Sequence, residues 1–533
     1  MELSTGLKAR RWELVWPAYR ADMEVSMGKT RILLTGATGT MGYSVLKELV
    51  KELDKFELTL MVRHTDNKKE LLQPYERLSG VNIYWGDLTN YKDVFECVSH
   101  ADIILHVAAF VSPAADYYPL LAMKTNYGST KNILTAIREQ DRMEEVKLVY
   151  IGTVAETGDR IPPIHWGRVG DPIKPSIFDY YAVSKVAAER IVIESGLTYW
   201  VSLRQTGIMG PAMSKINDPI LFHNGLYNVL EYVSDRDSGR LLRNLCSLDY
   251  QKELSPEFWN HIYNIGGGES CRVDTYSMFQ DIFGAIGIKD LDYVINPRWF
   301  ATKNFHGQYY LDSDKLEEFL HFRQDSMQYF YEEYIKNLGI TASLSKVICK
   351  IPGGQKMMGS ILKKVFLKMA RTQHGTVHFI ENDMEEQISA YWGSKDKWKQ
   401  IPASVHEFER PKDWNQVIVL DHGYEEEKPK SKLNLSDMKE AAVFRGGKLE
   451  SSSMKVGDFS TPLTFTCGFG HTFKASPRLI LEGGHWCPVC ERESWNYGRR
   501  AMIDPFFAQV WNPLHDGEAS LKEYKKEVNE LMV

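Results

Sequence analysis

The sequence predicts a doubly wound α/β domain as the main body of the chain, and three observations carry that reading. Short β-branched runs recur between residues 30 and 264, helical patterns separate them, and the runs are largely apolar. Strands that are apolar on both faces and joined by helices belong to a parallel sheet covered on both sides. The runs are RILLTG (31–36), LTLMVR (58–63), VNIYWGD (81–87), ADIILHVAA (101–109), KLVYIGT (147–153) and YWVSLR (199–204). Residues 1–29 stand before the alternation as an N-terminal extension without the apolar centre of a signal peptide. After Gly210 and Pro211, helical segments broken by YNIGGGES (263–270) predict a smaller, mostly helical lobe. Residues 30–340 therefore read as one unit, with the lobe mainly in 211–340. Residues 341–430 read as a helical and linker segment that ends in the polar tract EEEKPKSK (425–432), and residues 431–533 as a separate C-terminal domain.

Composition narrows the classes of partner. With 533 residues the chain exceeds one ordinary core, and a net charge of −6 gives no electrostatic reason to expect nucleic acid. No apolar run reaches the length of a spanning helix, so a cytoplasmic protein with a small-molecule substrate is the expectation. Of 7 cysteines, Cys97, Cys246, Cys271 and Cys349 stand singly and read as buried, inert thiols.

The first run opens into Thr35-Gly36-Ala37-Thr38-Gly39-Thr40-Met41-Gly42, followed by the helical pattern YSVLKELVKEL. Glycines there let the backbone turn tightly and approach a pyrophosphate, which meets the free amides of the helix N-terminus. Gly36, Thr38, Gly39, Thr40, Met41 and Gly42 are therefore candidate dinucleotide contacts in a Rossmann arrangement. At the end of the second run stands Arg63, with Lys68 and Lys69 following, where an acid would select the unphosphorylated cofactor. A guanidinium there pairs with a 2′-phosphate, which predicts NADP(H) in preference to NAD(H). Asp87 and Leu88, closing the third run, are placed to receive the adenine.

Tyr181 and Lys185 lie four residues apart, on one face of a helix. An ammonium beside a phenol favours the phenolate, so Tyr181 can exchange a proton with a substrate oxygen while hydride moves at carbon. TGATGTMG, GDL (86–88), HVAA (106–109), TNYGST (125–130), YIGTVAE (150–156), YAVSK (181–185), LRQTGIMGP (203–211) and YNIGGGES occur in that order. Over residues 30 to about 340 this order resembles the extended short-chain dehydrogenase/reductase family, which includes nucleotide-sugar epimerases, dehydratases and carbonyl reductases.

The resemblance implies a catalytic set of Thr153, Tyr181 and Lys185, with Lys185 also holding the nicotinamide ribose. It places Val107, Ala108 and Ala109 along the adenine-ribose path, Ile208 near the nicotinamide, and Asn126 in a structural role. It also implies pairing of two copies through the helices after the fourth and fifth strands, although the C-terminal extension could block that contact. Sugar dehydratases of this family carry an Asp-Glu pair after the catalytic threonine. Val154 and Ala155 stand there instead, and Glu156 reads as a helix-start or surface acid. An NADP(H)-dependent carbonyl reductase or alcohol dehydrogenase is the first expectation, and a nucleotide-sugar epimerase with tightly bound NAD the alternative. Phe222, Leu226, Tyr227, Leu230, Tyr232, Trp299, Phe300, Tyr309 and Tyr310, with few cations among them, mildly favour a hydrophobic or aromatic substrate, although such stripes commonly form core.

Two further patterns stand outside that unit. In QKMMGSILKKVFLKMART (355–372), Met358, Ile361, Leu362, Val365, Phe366 and Met369 share a helical face and lysines occupy most of the rest. The segment reads as a helix docked on the main domain, with contact to a membrane surface as the second reading. Near the C-terminus, Cys467 and His471 are followed by Cys487 and Cys490, a spacing that suits tetrahedral, structural zinc in a ribbon-like or treble-clef module. His485 is the weaker candidate for the imidazole ligand.

Overall fold

The structure is a computed structural model that describes residues 28–211, 213, 217–411, 413–517 and 521–524. The N-terminal extension, apart from Gly28 and Lys29, lies outside the described residues. Seven strands form the central sheet: β1 (Thr30–Thr35), β2 (Phe56–Val62), β3 (Val81–Trp85), β4 (Ile103–His106), β5 (Lys147–Thr153), β6 (Tyr199–Gln205) and β7 (His261–Ile265). They run in the order β7-β6-β5-β4-β1-β2-β3, and every neighbouring pair is parallel. The six apolar runs thus become six strands. The seventh, HIYNI, is the start of what reads in sequence as a glycine-broken part of the helical lobe; Gly266 to Gly268 follow its end.

Alternate side chains of each strand enter opposite layers, as the pleat requires. Ile32 and Leu34 of β1 pack with α1 (Thr40–Leu49) and α5 (Asp235–Tyr250). Leu33 faces the other way, into the layer that holds α2 (Tyr91–Val98), α3 (Gly128–Glu139) and α4 (Tyr180–Ile193). The sheet is a doubly wound Rossmann sheet whose order reverses between β1 and β4, and a ligand crevice in such a sheet opens beyond the carboxyl ends of those strands.

The lobe beside the sheet is mostly helical. Its core includes Phe222, Leu226, Leu230, Tyr232, Trp299, Phe300 and Tyr310, each buried. Those aromatics hold the lobe together, so they give no support to an aromatic substrate. Helices α6 (Thr275–Ala285), α7 (Met327–Leu338), α8 (Ile340–Cys349) and α9 (Gly354–Ala370) follow, and Cys349, Met369 and Ala370 are buried in the same core. The lobe therefore continues past Leu338 into the helical and linker segment, where the helix expected to dock on the main domain packs on its core.

Residues after 430, expected as a unit of their own, share the second layer of the main domain. Leu433, Met438, Phe465, Phe473 and Trp486 join Ile133, Val192, Ile193 and Trp200 in one core. The helix α4, one of the two through which the resemblance implies pairing of two copies, thus carries the chain's own C-terminal residues. The reason is chemical as much as steric: Arg190 of α4 donates to the Trp486 carbonyl at 2.9 Å, and Ser476 donates to Glu194 at 2.5 Å.

Candidate functional site

The glycine loop is built by two close approaches. Gly36 sits at φ 76°, in the left-handed region, and a Cβ on it would lie 2.8 Å from the Ala108 backbone. A Cβ on Gly42 would lie 2.1 Å from the Gly36 carbonyl oxygen, so helix α1 packs directly on the turn. Gly39 caps α1 and is exposed, as is Thr40, leaving the amides of the first helical turn open. Gly42→Ala should cost about 1–3 kcal/mol in urea unfolding through overpacking, and weaken dinucleotide binding with it.

Beneath the loop, Thr35 Oγ1 receives the Ala108 amide at 3.1 Å and lies 3.0 Å from His106 Nδ1. The other nitrogen of His106 is 3.1 Å from the Thr130 hydroxyl, and complete burial pushes the imidazole down to about 3, so it is neutral. This holds Val107, Ala108 and Ala109 beside Gly36. Arg63 is exposed just beyond β2. Burial tends to raise the Asp87 carboxyl, but the Thr89 amide and hydroxyl and the charge of Arg63 bring it below the ordinary carboxylate value. Lys68 is held below its ordinary value by partial burial and then by Arg63.

The Thr153 hydroxyl and the Tyr181 phenol lie together at the carboxyl end of β5, and Lys185 reaches the same strand at Ile151. Thr153 ends that strand, and its hydroxyl oxygen accepts the Ala155 amide at 3.2 Å, which leaves its own proton for another acceptor. Tyr181 stands in the first turn of α4 and is partly exposed. Burial raises its phenol above the ordinary value, and the Thr153 hydroxyl works in the opposite direction. Lys185, one turn further, is buried, donates to the Ile151 carbonyl at 2.5 Å and lies 4.1 Å from the centre of the Tyr150 ring. Desolvation lowers its ammonium to about 8, with Glu156 and Glu189 pulling the other way. Ile208 lies beyond β6, partly buried.

Asn126 fastens α4 to the loop after β4. Its side chain accepts the Phe110 amide at 2.7 Å and donates to the Phe110 carbonyl at 3.0 Å and the Ser184 hydroxyl at 2.8 Å. Asp116 is a group that no local sequence signal marks. It accepts the Tyr181 amide at 3.1 Å, and burial together with the charge of Asp179 pushes its carboxyl up to about 8. Its neighbour Tyr117 stacks on His374 at 3.8 Å between centroids, so the chain that follows α9 returns to the edge of the site.

Glu156 is wholly buried, not a surface acid. Its carboxylate accepts the Thr153 amide at 3.0 Å and lies 3.3 Å from Arg204 Nε. Arg204 in turn grips Glu189 at 2.7 Å and donates to the Gly483 carbonyl at 2.8 Å. His485 stands between Glu189, at 3.0 Å, and Glu491, at 3.2 Å, and all three side chains are buried. A continuous chain of buried polar and charged groups thus runs from the turn after Thr153 into the C-terminal residues, with burial and then Glu189 raising the Glu156 carboxyl well above its ordinary value. Burial tends to depress the His485 imidazole, but Glu491 and Glu189 together raise it above its ordinary value.

That use of His485 leaves His471 for the cysteines. Cys467, His471, Cys487 and Cys490 bring one ligand atom each within 4.8 Å of one another. Cys467 and His471 flank the hairpin between β8 (Leu463–Thr466) and β9 (Thr472–Ala475), and Cys490 opens a short helical turn. His471 Nδ1 is 3.4 Å from the Cys467 sulfur and 3.5 Å from those of Cys487 and Cys490, and Cys467 Sγ is 3.9 Å from Cys490 Sγ. Tetrahedral zinc, with bonds of about 2.3 Å to sulfur and about 2.0–2.1 Å to nitrogen, requires edges of about 3.6–3.8 Å. The donor set and its dimensions therefore fit the ion. Hydrogen bonds with Cys487 and Cys490 lower the Cys467 thiol, while those with Cys467 and Cys487 raise Cys490. Three thiols this close become thiolates together only around a cation.

The sequence pattern of the family described as "NAD dependent epimerase/dehydratase family" matches residues 32–224. The UDP-glucose 4-epimerase of Rickettsia felis is 30% identical over 109 residues, 20% of this chain and 32% of that protein. That of Rickettsia prowazekii is 27% identical over 108 residues, with the same shares. The match thus spans about a third of the length of these relatives. Among solved structures, the DesIV double mutant (dTDP-glucose 4,6-dehydratase) of Streptomyces venezuelae with NAD and DAU bound is 20% identical, with a TM-score of 0.47. The superposition covers 59% of this chain and 100% of that one.

Proposed function

We propose that this chain, whose residues 32–224 match the pattern of the NAD-dependent epimerase/dehydratase family, is an oxidoreductase that moves hydride between NADP(H) and the carbonyl or alcohol carbon of a small substrate. The observation that supports this is the Thr153 hydroxyl beside the Tyr181 phenol at the carboxyl end of β5, with Lys185 one turn along α4, in the same sheet as the strand β1 that opens into the glycine loop. Gly36 to Gly42 would hold the pyrophosphate, Asp87 and Leu88 the adenine, Val107 to Ala109 the path between, and Lys185 and Ile208 the nicotinamide end. The bound nicotinamide supplies or receives the hydride. Thr153 donates its free proton to the substrate oxygen and fixes its position. Tyr181 gives that oxygen a proton during reduction, or takes one during oxidation, and Lys185 lowers the cost of the phenolate.

Arg63 supports NADP(H), because the end of β2 carries a cation where an acid would bind a ribose hydroxyl. Arg63→Glu should shift the ratio of kcat/KM for NADPH over NADH by about 10–100-fold towards NADH, the worth of one or two charge-assisted hydrogen bonds. Steady-state rates with each cofactor check it, and an unchanged ratio removes Arg63 from cofactor selection. Sugar dehydration finds no support, because Val154 and Ala155 are buried and apolar and Glu156 is committed to Thr153 and Arg204.

Epimerisation of a nucleotide sugar is the second reading, favoured by the identity shared with UDP-glucose 4-epimerases. The deciding experiment is an acid extract of the purified protein together with fluorescence titration by NADPH and NADH. Tight NADPH binding to an initially empty site supports net reduction; copurified, non-exchanging NAD favours the epimerase. We also assign zinc to Cys467, His471, Cys487 and Cys490, where all four positions are filled by protein and the ion stabilises the fold.

A further inference from the structure

Helices α8 and α9 present an unusual outer face. Ile340, Leu344, Val347, Ile351, Met357, Ile361 and Val365 are between 51% and 83% exposed. Their spacing is helical: Met357, Ile361 and Val365 form one stripe on α9, and Ile340, Leu344 and Val347 one on α8. These stripes are additional to the docked face. Met358, Leu362 and Phe366 pack against the lobe core, a Cβ on Gly359 would lie 2.4 Å from the Tyr293 Cβ, and Lys363 donates to the Asp292 carbonyl at 2.6 Å. The helix is therefore seated, and its second apolar stripe remains outside.

Charge on this segment is one-sided. Between Glu333 and Glu381 the chain has no Asp or Glu but eight Lys or Arg, in a protein of net charge −6. Lys346, Lys350, Lys356, Lys364 and Lys368 are exposed, and among the described residues no ion pair holds any of them. Lys356, Lys364 and Lys368 border the Met357-Ile361-Val365 stripe along its length.

We propose that this face of α8 and α9 docks on an anionic lipid bilayer. Apolar side chains flanked by lysines, on helices that lie along a surface, match the chemistry of an interface whose interior is hydrocarbon and whose headgroups are acidic. Lysine stems extend along apolar surface while their ammonium groups reach outward. Protein interfaces are depleted in lysine, which weighs against a protein occupant. The proposal is independent of the reductase reading, since it rests on surface residues alone.

The test is flotation of the full chain with vesicles of phosphatidylcholine, with and without phosphatidylserine. Binding should require phosphatidylserine and weaken with added salt. Ile361→Ser and Val365→Ser together should weaken it about tenfold or more, and Lys364→Gln or Lys368→Gln about fivefold each. Lys439→Gln, on an exposed site elsewhere, should leave it unchanged. Because the substituted residues are exposed, the unfolding midpoint of each variant should match that of the parent, which separates lost docking from misfolding. Absence of flotation, equal binding to both vesicle types, or insensitivity to these substitutions would overturn the proposal. So would self-association in sedimentation that Val365→Ser abolishes, since a second copy would then occupy the face.

Discussion

Tyr181→Phe should reduce turnover about 10²–10⁴-fold, the ordinary worth of a positioned acid/base, while dinucleotide affinity stays within about twofold. Phenylalanine keeps the aromatic ring of Tyr181. The Tyr181 amide still meets Asp116, and Asn126 and Ser184 still tie α4 to the loop after β4. What is lost is one hydroxyl, next to the Thr153 hydroxyl, at the place where the substrate oxygen must exchange its proton. Stopped-flow measurement of a single turnover separates this from slow product release. A variant that retains full activity would move proton transfer to another group, and Asp116, whose carboxyl is pushed up to about 8 by burial and Asp179 and accepts the Tyr181 amide, is the next candidate. Thr153→Ala offers a second reading of the same centre. It removes the hydroxyl that counters the upward push of burial on the phenol, so the loss should be accompanied by a pH profile displaced towards alkaline values.

What the sequence conveyed about this centre follows from how local each signal is. The glycine loop, the six strands and the Tyr181-Lys185 spacing are short-range patterns, and the structure forms the turn, the strands and the helix that they predict. Gly36 and Gly42 were legible because a backbone contact forbids any side chain there. Asp116 was not, because nothing in residues 110 to 120 records that the segment will meet the amide of Tyr181. Glu156 was legible as a helix-start acid but not as a buried one, since its burial depends on Arg204 from the neighbouring strand. The aromatic residues of the lobe show the converse difficulty. Their enrichment is plain in sequence, yet enrichment alone does not separate a pocket from a core, and packing turned them into core. The C-terminal residues were legible as a metal-binding pattern but not as part of the main layer, because a Cys-His spacing carries no information about what the opposite face of the hairpin covers.

That shared layer leads to the second large effect. Cys487→Ser should abolish stoichiometric zinc and destabilise the chain by on the order of 3–5 kcal/mol or more, with loss of activity extending to the catalytic centre. The ligand itself is remote from the substrate oxygen, so the effect must travel through named groups. Two residues before Cys487, His485 bridges Glu189 and Glu491 in a wholly buried setting. Glu189 holds Arg204, Arg204 lies against Glu156, and Glu156 receives the amide of Thr153. Loosening the knuckle around Cys487 would leave buried charges without partners, and an unpaired charge there costs more than the intact pair contributes. Metal content by emission spectroscopy, denaturant unfolding and single-turnover rates measured on the same preparation resolve the steps. Zinc lost with stability and turnover unchanged would confine the ion to a local role and cut the chain of contacts at His485. A parent protein that carries no zinc would instead require another occupant for three thiols and an imidazole spaced for tetrahedral coordination.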